Sequence, residues 1–170
     1  MHFITTGGTL DKLPVRLDDG SFDNDSKLFG DTHIPEMLEK MRFTLPYTLD
    51  RLCTLDSLDM TDEDRAKIVA SITSADDERV VITHGTDTMP ETARFILNRP
   101  RKEMSRRTII LTGAMEPYSM GASSDAMANL GTAIAYAQTS PAGVYVAMNG
   151  QAFNGNRVLK DKQAGVFYEA

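Results

Sequence analysis

Three uninterrupted apolar runs constrain this chain more than any other feature. They are Val80-Val81-Ile82 within Arg79–Thr83, Ile109-Ile110-Leu111 within Thr108–Thr112, and Val144–Met148 within Gly143–Met148. A strand with one wet face alternates apolar and polar residues. A run with no alternation needs cover on both faces, which is the interior of a parallel sheet. Two shorter segments, residues 1–6 and Thr48–Leu55, read as further strands.

Helical segments alternate with these strands, at residues 34–41, 61–72, 90–97 and 125–138. In the second, Thr61 can cap, while Asp62, Glu63 and Asp64 suit the positive end of the helix dipole. Pro90 fits the first turn of the third. Strand–helix alternation predicts an α/β fold: one doubly wound, mostly parallel sheet flanked by helices, Rossmann-like or flavodoxin-like, with right-handed crossovers. Asn154-Gly155 lies between the short extended runs 151–153 and 157–159, which predicts a C-terminal β-hairpin turning there. Residues 11–31 are polar, contain Gly20 and Gly30, and carry no period. They read either as a surface loop or as a lid over whatever the first strand presents. No internal repeat or linker divides residues 1–170, which read as one domain.

Composition narrows the partners. The net charge of -6 leaves no broad basic surface to follow a phosphate backbone, so nucleic acid is not an expected partner. Cys53 is the only cysteine, which precludes an intrachain disulfide and suits a reducing compartment. The opening residues lack the charged and apolar regions of a secretory leader, and no stretch approaches the roughly 20 apolar residues that span a bilayer. The expectation is a cytoplasmic protein without membrane contact.

Hydroxyls and glycines cluster where two strands should end. Thr5-Thr6-Gly7-Gly8-Thr9 closes the first, and Thr83-His84-Gly85-Thr86-Asp87-Thr88 follows Val80-Val81-Ile82. In an open α/β sheet, ligands bind beyond the carboxyl ends of the strands. Thr9 is either an incidental turn residue or a nucleophile, and a threonine hydroxyl needs a base to take its proton. The G-x-x-x-x-G-K-[ST] phosphate loop is absent, and so is the third glycine of a dinucleotide fingerprint. His84 is either a general base or a structural histidine at a strand end. No His/Cys cluster suggests a metal, and no cofactor is expected.

Five segments, in order and nearly end to end, resemble the bacterial-type L-asparaginase family, specifically its N-terminal catalytic domain. They are Thr6-Gly7-Gly8-Thr9, Asp56-Ser57-Leu58-Asp59-Met60, His84–Met89, Gly113-Ala114-Met115 and residues 155–160. The resemblance implies a short, single-domain member that hydrolyses L-asparagine to L-aspartate and ammonia. By that resemblance Thr9 is the nucleophile, and Thr86, Asp87 and Lys160 form a hydroxyl–carboxylate–lysine relay. Gly8, Asp56, Ser57, Leu58 and Gly85 line the substrate site, and the Ala114 carbonyl faces the leaving amide nitrogen. A homo-oligomer, dimer or tetramer, is implied as well.

The chain also departs from the family. No tyrosine occurs between Asp11 and Pro46 to match the one on the family's flexible loop; Phe22 stands at the comparable offset and is the lid candidate. Leu58 stands where the family usually has glutamine, and Glu116 where arginine is common. These departures keep two alternatives open: an amidase for another amide such as L-glutamine, and a non-catalytic module that binds asparagine or aspartate.

Overall fold

The computed structural model describes residues 1–23, 26–100 and 104–170, so Asn24 and Asp25 of the predicted loop lie outside the described residues. Strands β1 (His2–Gly7), β2 (Thr48–Leu55), β3 (Arg79–Thr83), β4 (Thr108–Thr112), β5 (Gly143–Met148) and β6 (Gln151–Asn154) form one sheet in the order β2-β1-β3-β4-β5-β6. The β1–β2, β1–β3, β3–β4 and β4–β5 pairs are parallel, and β6 closes the edge antiparallel to β5. This is the predicted doubly wound architecture.

Helices cover both faces, as the unbroken apolar runs require. Helices α2 (Asp62–Ser74) and α3 (Met89–Leu97) bury Ile68, Ile72, Ala93 and Ile96 against Val80 and Ile82. Helices α1 (Ile34–Lys40) and α4 (Ala126–Thr139) bury Met37, Leu130 and Ala133 against Phe3, Val81 and Ile110 on the other side. Successive residues of β3 therefore feed opposite cores, the period-two rule of a strand. The start of α2 follows the sequence reading and adds a reciprocal bond. Thr61 Oγ1 accepts from the Asp64 amide at 3.3 Å, and Asp64 accepts from the Thr61 amide at 3.2 Å.

The hairpin expected at Asn154-Gly155 needs correction. The chain holds two Asn-Gly pairs, and the tight turn forms at the other, Asn149-Gly150. Both residues there have positive φ, 55° and 73°, between the paired residues Met148 and Gln151. That is the two-residue turn whose twist matches a hairpin. At 154–155 the chain instead leaves the sheet: the Gly155 amide binds the Val144 carbonyl at 2.9 Å, and Gly155 has no positive φ. The C-terminal hairpin is a separate ribbon, β7 (Val158–Asp161) antiparallel to β8 (Val166–Glu169). It is pinned by the buried side chains of Val158 and Phe167. Lys160 thus rides on this ribbon and does not follow an Asn-Gly hairpin.

The described part of residues 11–31 is not simple coil. Antiparallel bridges join Lys12 to Phe29 and Arg16 to Phe22, and the Leu13 amide binds the Leu28 carbonyl at 2.8 Å. The segment folds back over the carboxyl end of β1 as an arm.

Gly150 tests the corrected turn. A Cβ there meets no atom within 4 Å, so only backbone strain opposes a side chain. Gly150→Ala should cost about 1–2 kcal/mol in urea denaturation, the penalty of a left-handed residue. An unchanged midpoint contradicts the turn.

Candidate functional site

Strand order reverses between β1 and β3, whose first following elements leave in opposite directions across the sheet. In doubly wound sheets that reversal opens a crevice at the carboxyl ends. Thr5 and Thr83 are paired in register, so the two motifs emerge level with one another. The Thr6 hydroxyl donates to the Thr83 carbonyl at 2.9 Å and ties the ends together.

Beyond the strands, the two motifs touch backbone to backbone. Gly8 has φ 76°, and a Cβ there would lie 2.5 Å from the Gly85 nitrogen. A Cβ on Gly85 would lie 2.6 Å from the Ser57 Cβ. Neither position accepts a side chain, so glycine is required by space at both and by conformation at Gly8. The Thr88 hydroxyl donates to the Ser57 carbonyl at 2.8 Å, fixing the third segment to the second.

From this stack the chain turns into two short 3-10 helices, Thr9–Asp11 and Thr86–Thr88. Thr9 of the first and Thr86 and Asp87 of the second line one cleft of 350 Å³. Thr9, Thr86, Asp87 and Lys160 all line it, with Gly8, Asp56, Ser57, Leu58 and Gly85. Thr9 and Lys160, 151 positions apart in the sequence, therefore converge. The Lys160 Nζ donates to the Thr86 Oγ1 at 2.8 Å and to the Asp87 Oδ1 at 2.6 Å. Its side chain is only 9% exposed, so this cation depends on those two partners in place of water. The cluster can share a proton between a hydroxyl and an amine while a carboxylate holds the amine in place.

Other predicted residues fall differently. Leu58 is 62% exposed and sits on the rim. Ala114 is fully buried and does not line this cleft, whereas its neighbour Met115 does. Phe22 does not reach the cleft of Lys160; it lines an adjoining one, under the arm, which also opens on Thr9.

Two features of the site escape a sequence reading. Lys12, near-buried, pairs with Asp56 at 3.1 Å across the cleft. Burial alone would raise the Asp56 carboxyl, but the Leu58 amide and the Lys12 ammonium draw it below its ordinary value. The available signal was the spacing: Lys12 follows Thr9 by three, and in a 3-10 turn such residues share a face. The second feature is a hydrogen-bond chain behind the site. The Asp125 carboxylate accepts the Met115 and Glu116 amides at 2.9 and 3.1 Å. It also accepts from the Asn129 Nδ2 at 2.7 Å. The Asn129 Oδ1 accepts from the Asn149 amide at 3.2 Å, and the Asn149 Oδ1 from the Phe167 amide at 2.9 Å. Phe167 pairs with Lys160 in the ribbon, so the chain links the Gly113–Met115 turn to the lysine.

His84 is structural. It is fully buried, its Nδ1 meets the Gly85 carbonyl at 2.7 Å and its Nε2 the Thr92 hydroxyl at 2.9 Å. The carbonyl requires the proton on Nδ1, which leaves Nε2 as acceptor. Burial pulls the imidazole down to about 4, although the Gly85 carbonyl opposes this.

The fold and the crevice define a doubly wound α/β protein with a threonine–lysine–aspartate site at its switch point. A family model described as "Asparaginase, N-terminal" matches residues 1–166, and the chain belongs to that family. A probable periplasmic L-asparaginase of Haemophilus influenzae is 34% identical over 122 residues, 69% of this chain and 34% of that protein. A glutaminase-asparaginase of Pseudomonas aeruginosa is 38% identical over 98 residues, 55% of this chain and 26% of that protein. A solved probable cytoplasmic L-asparaginase from Campylobacter jejuni superposes with a TM-score of 0.78 at 27% identity, over 99% of this chain and 52% of its own. The chain thus spans about half of that structure and about a quarter to a third of those curated relatives. Among the described residues, no helix is long and apolar enough to cross a membrane.

The His84 environment sets a pH test. Its value is lowered in the folded state, so the unfolded chain binds the extra proton first. The stability it contributes is complete above 6.5 and is lost as pH falls from there to about 4, by up to about 3 kcal/mol. Denaturation midpoints of His84→Gln should fall less steeply over that window than those of the wild type. Equal slopes would show that His84 is not held neutral.

Proposed function

We propose that the chain is an amidohydrolase that converts L-asparagine and water to L-aspartate and ammonia through a threonine nucleophile. One observation carries this reading: the Lys160–Thr86–Asp87 cluster and Thr9 line one cleft at the sheet's switch point. The family membership and the named relatives support the reaction class. Residues 1–170 act as one catalytic domain in this reading.

Thr9 Oγ attacks the side-chain amide carbon, and the C–N bond breaks as ammonia leaves with the proton from the hydroxyl. Water then cleaves the acyl ester and restores Thr9. The Lys160 ammonium favours negative charge on Thr86, and Asp87 holds the lysine against the desolvation cost of its burial. Backbone amides near Thr9 and Thr86 supply donors for the oxyanion. Ser57 receives the substrate α-carboxylate and Asp87 its ammonium group.

L-Glutamine is the second reading, favoured by the exposed Leu58, which offers no polar group to measure substrate length. The setting is read as cytoplasmic. The chain is read as a homo-oligomer in which a second copy covers the open rim at Leu58. Sedimentation equilibrium giving a monomer would overturn that last element.

Thr9→Ala should reduce ammonia release to background. Lys160→Met should reduce kcat by roughly 10²- to 10⁴-fold, the usual range for a lost proton-transfer group. Steady-state assay of purified protein decides both. Undiminished turnover in Thr9→Ala removes the nucleophile assignment, and undiminished turnover in Lys160→Met removes the relay.

A further inference from the structure

Thr9 stands at the junction of two clefts. The first, with Lys160 and Ser57, is the one described above. The second has a volume of 400 Å³ and lies under the arm. Thr9, Lys12 and Met115 line both. The second cleft differs in character: Leu13, Phe22, Pro117 and Met120 give it apolar walls, and Glu116 adds a carboxylate.

Its walls are built. The roof is the bridged arm, with the Asp23 amide on the Val15 carbonyl at 2.8 Å. The floor, residues 115–120, is fixed by the amides of Met115 and Glu116 on Asp125 and by the Ser124 hydroxyl on the Glu116 carbonyl at 2.8 Å. Roof and floor are joined by the Ser119 hydroxyl, which donates to the Lys12 carbonyl at 3.2 Å.

The carbon that Thr9 attacks bears an acyl chain on one side and the leaving nitrogen on the other. With the charged head of the acyl part in the first cleft, the nitrogen is directed out of it, toward the cleft that adjoins Thr9 on its other side. Ammonia occupies about the volume of one water, roughly 30 Å³. The adjoining cleft, at 400 Å³, is more than ten times larger and has Leu13, Phe22, Pro117 and Met120 among its walls. A primary amide makes no use of it.

We infer that the second cleft receives a substituent on the leaving nitrogen, so that N-substituted β-amides of aspartate are substrates. This rests on the amidohydrolase reading above. The step balances without a co-reactant. Thr9 Oγ bonds to the carbonyl carbon, the C–N bond breaks, and a primary amine leaves with the hydroxyl proton. Water hydrolyses the ester to aspartate. A short alkyl stem contacts Phe22 and Met120, and a terminal ammonium group is favoured by Glu116.

The test compares L-asparagine, its β-N-ethyl derivative and its β-N-(2-aminoethyl) derivative on purified protein, reading aspartate release. Both substituted amides should turn over with a Thr9-dependent kcat/KM at least equal to that of asparagine, the aminoethyl compound the better. Met120→Trp, which fills the cleft, should lower kcat/KM for both substituted amides by roughly 10- to 200-fold, leaving asparagine unchanged. Met120→Ala, which enlarges the cleft without crowding the fold, should admit a β-N-benzyl derivative better than the wild type does. Glu116→Gln should erase the aminoethyl preference. Turnover of asparagine with none of the substituted amides overturns this inference and leaves the amidohydrolase reading standing. Absence of Thr9-dependent turnover on every amide overturns both. If Met120→Trp suppresses glutamine instead, the cleft holds acyl chain and the inference fails.

Discussion

The contact on which the site depends sets the main chain of Gly8 on that of Gly85, with Gly85 seated in turn on the side chain and amide of Ser57. Gly8 lies against Gly85, and Gly85 against Ser57, at separations that exclude even a methyl group. Side chains hop between rotamers, but a backbone stack of this kind moves only if strands move. The positions of Thr9 and Thr86 relative to one another are therefore set by β1 and β3, whose ends the Thr6–Thr83 hydrogen bond also joins. Two glycines carry an entropic cost in the unfolded chain. What offsets it is a crevice whose walls are fixed before any ligand arrives, the preorganisation that electrostatic catalysis uses.

Charge in the crevice is balanced internally. Lys12 faces Asp56, Lys27 faces Asp59 and Lys160 faces Asp87. The pairs differ in what they rest on. Lys27 and Asp59 are both half exposed, so water screens them and their mutual hold is weak. Lys12 and Lys160 are nearly enclosed and lean on their partners. A zwitterion entering such a cleft adds an anion and a cation together, and leaves the local charge balance unchanged.

Much of this was legible in the sequence for a physical reason. Unbroken apolar runs such as Val80-Val81-Ile82 have one stable environment, and the helices between them fix the topology. The hydroxyl motifs were visible because strand ends are where such residues are both tolerated and useful. The hairpin was misplaced because Asn149-Gly150 and Asn154-Gly155 are equivalent as dipeptides. Only pairing decides that the first turns within the sheet, while the Gly155 amide is taken by Val144. His84 could not be assigned from sequence, since burial and not residue type makes it neutral. Of the Asp125–Asn129–Asn149 chain, only the Asn129–Asp125 bond has helical i,i+4 spacing; the others run between a side chain and main-chain amides on other elements, and such partners leave no spacing pattern.

The lysine at the heart of the cluster does not belong to the main sheet. It arrives on the β7–β8 ribbon, which is held to the body by Val158, Phe167 and a few hydrogen bonds, among them Arg94 to the Val158 carbonyl at 3.1 Å. Two-stranded ribbons have little stability of their own. Detachment of this ribbon is accordingly an easier event than unfolding of the sheet, since stability differs from place to place in a native protein. The geometry of the Lys160–Thr86–Asp87 cluster therefore rests on the ribbon staying docked, and not only on the sheet staying folded.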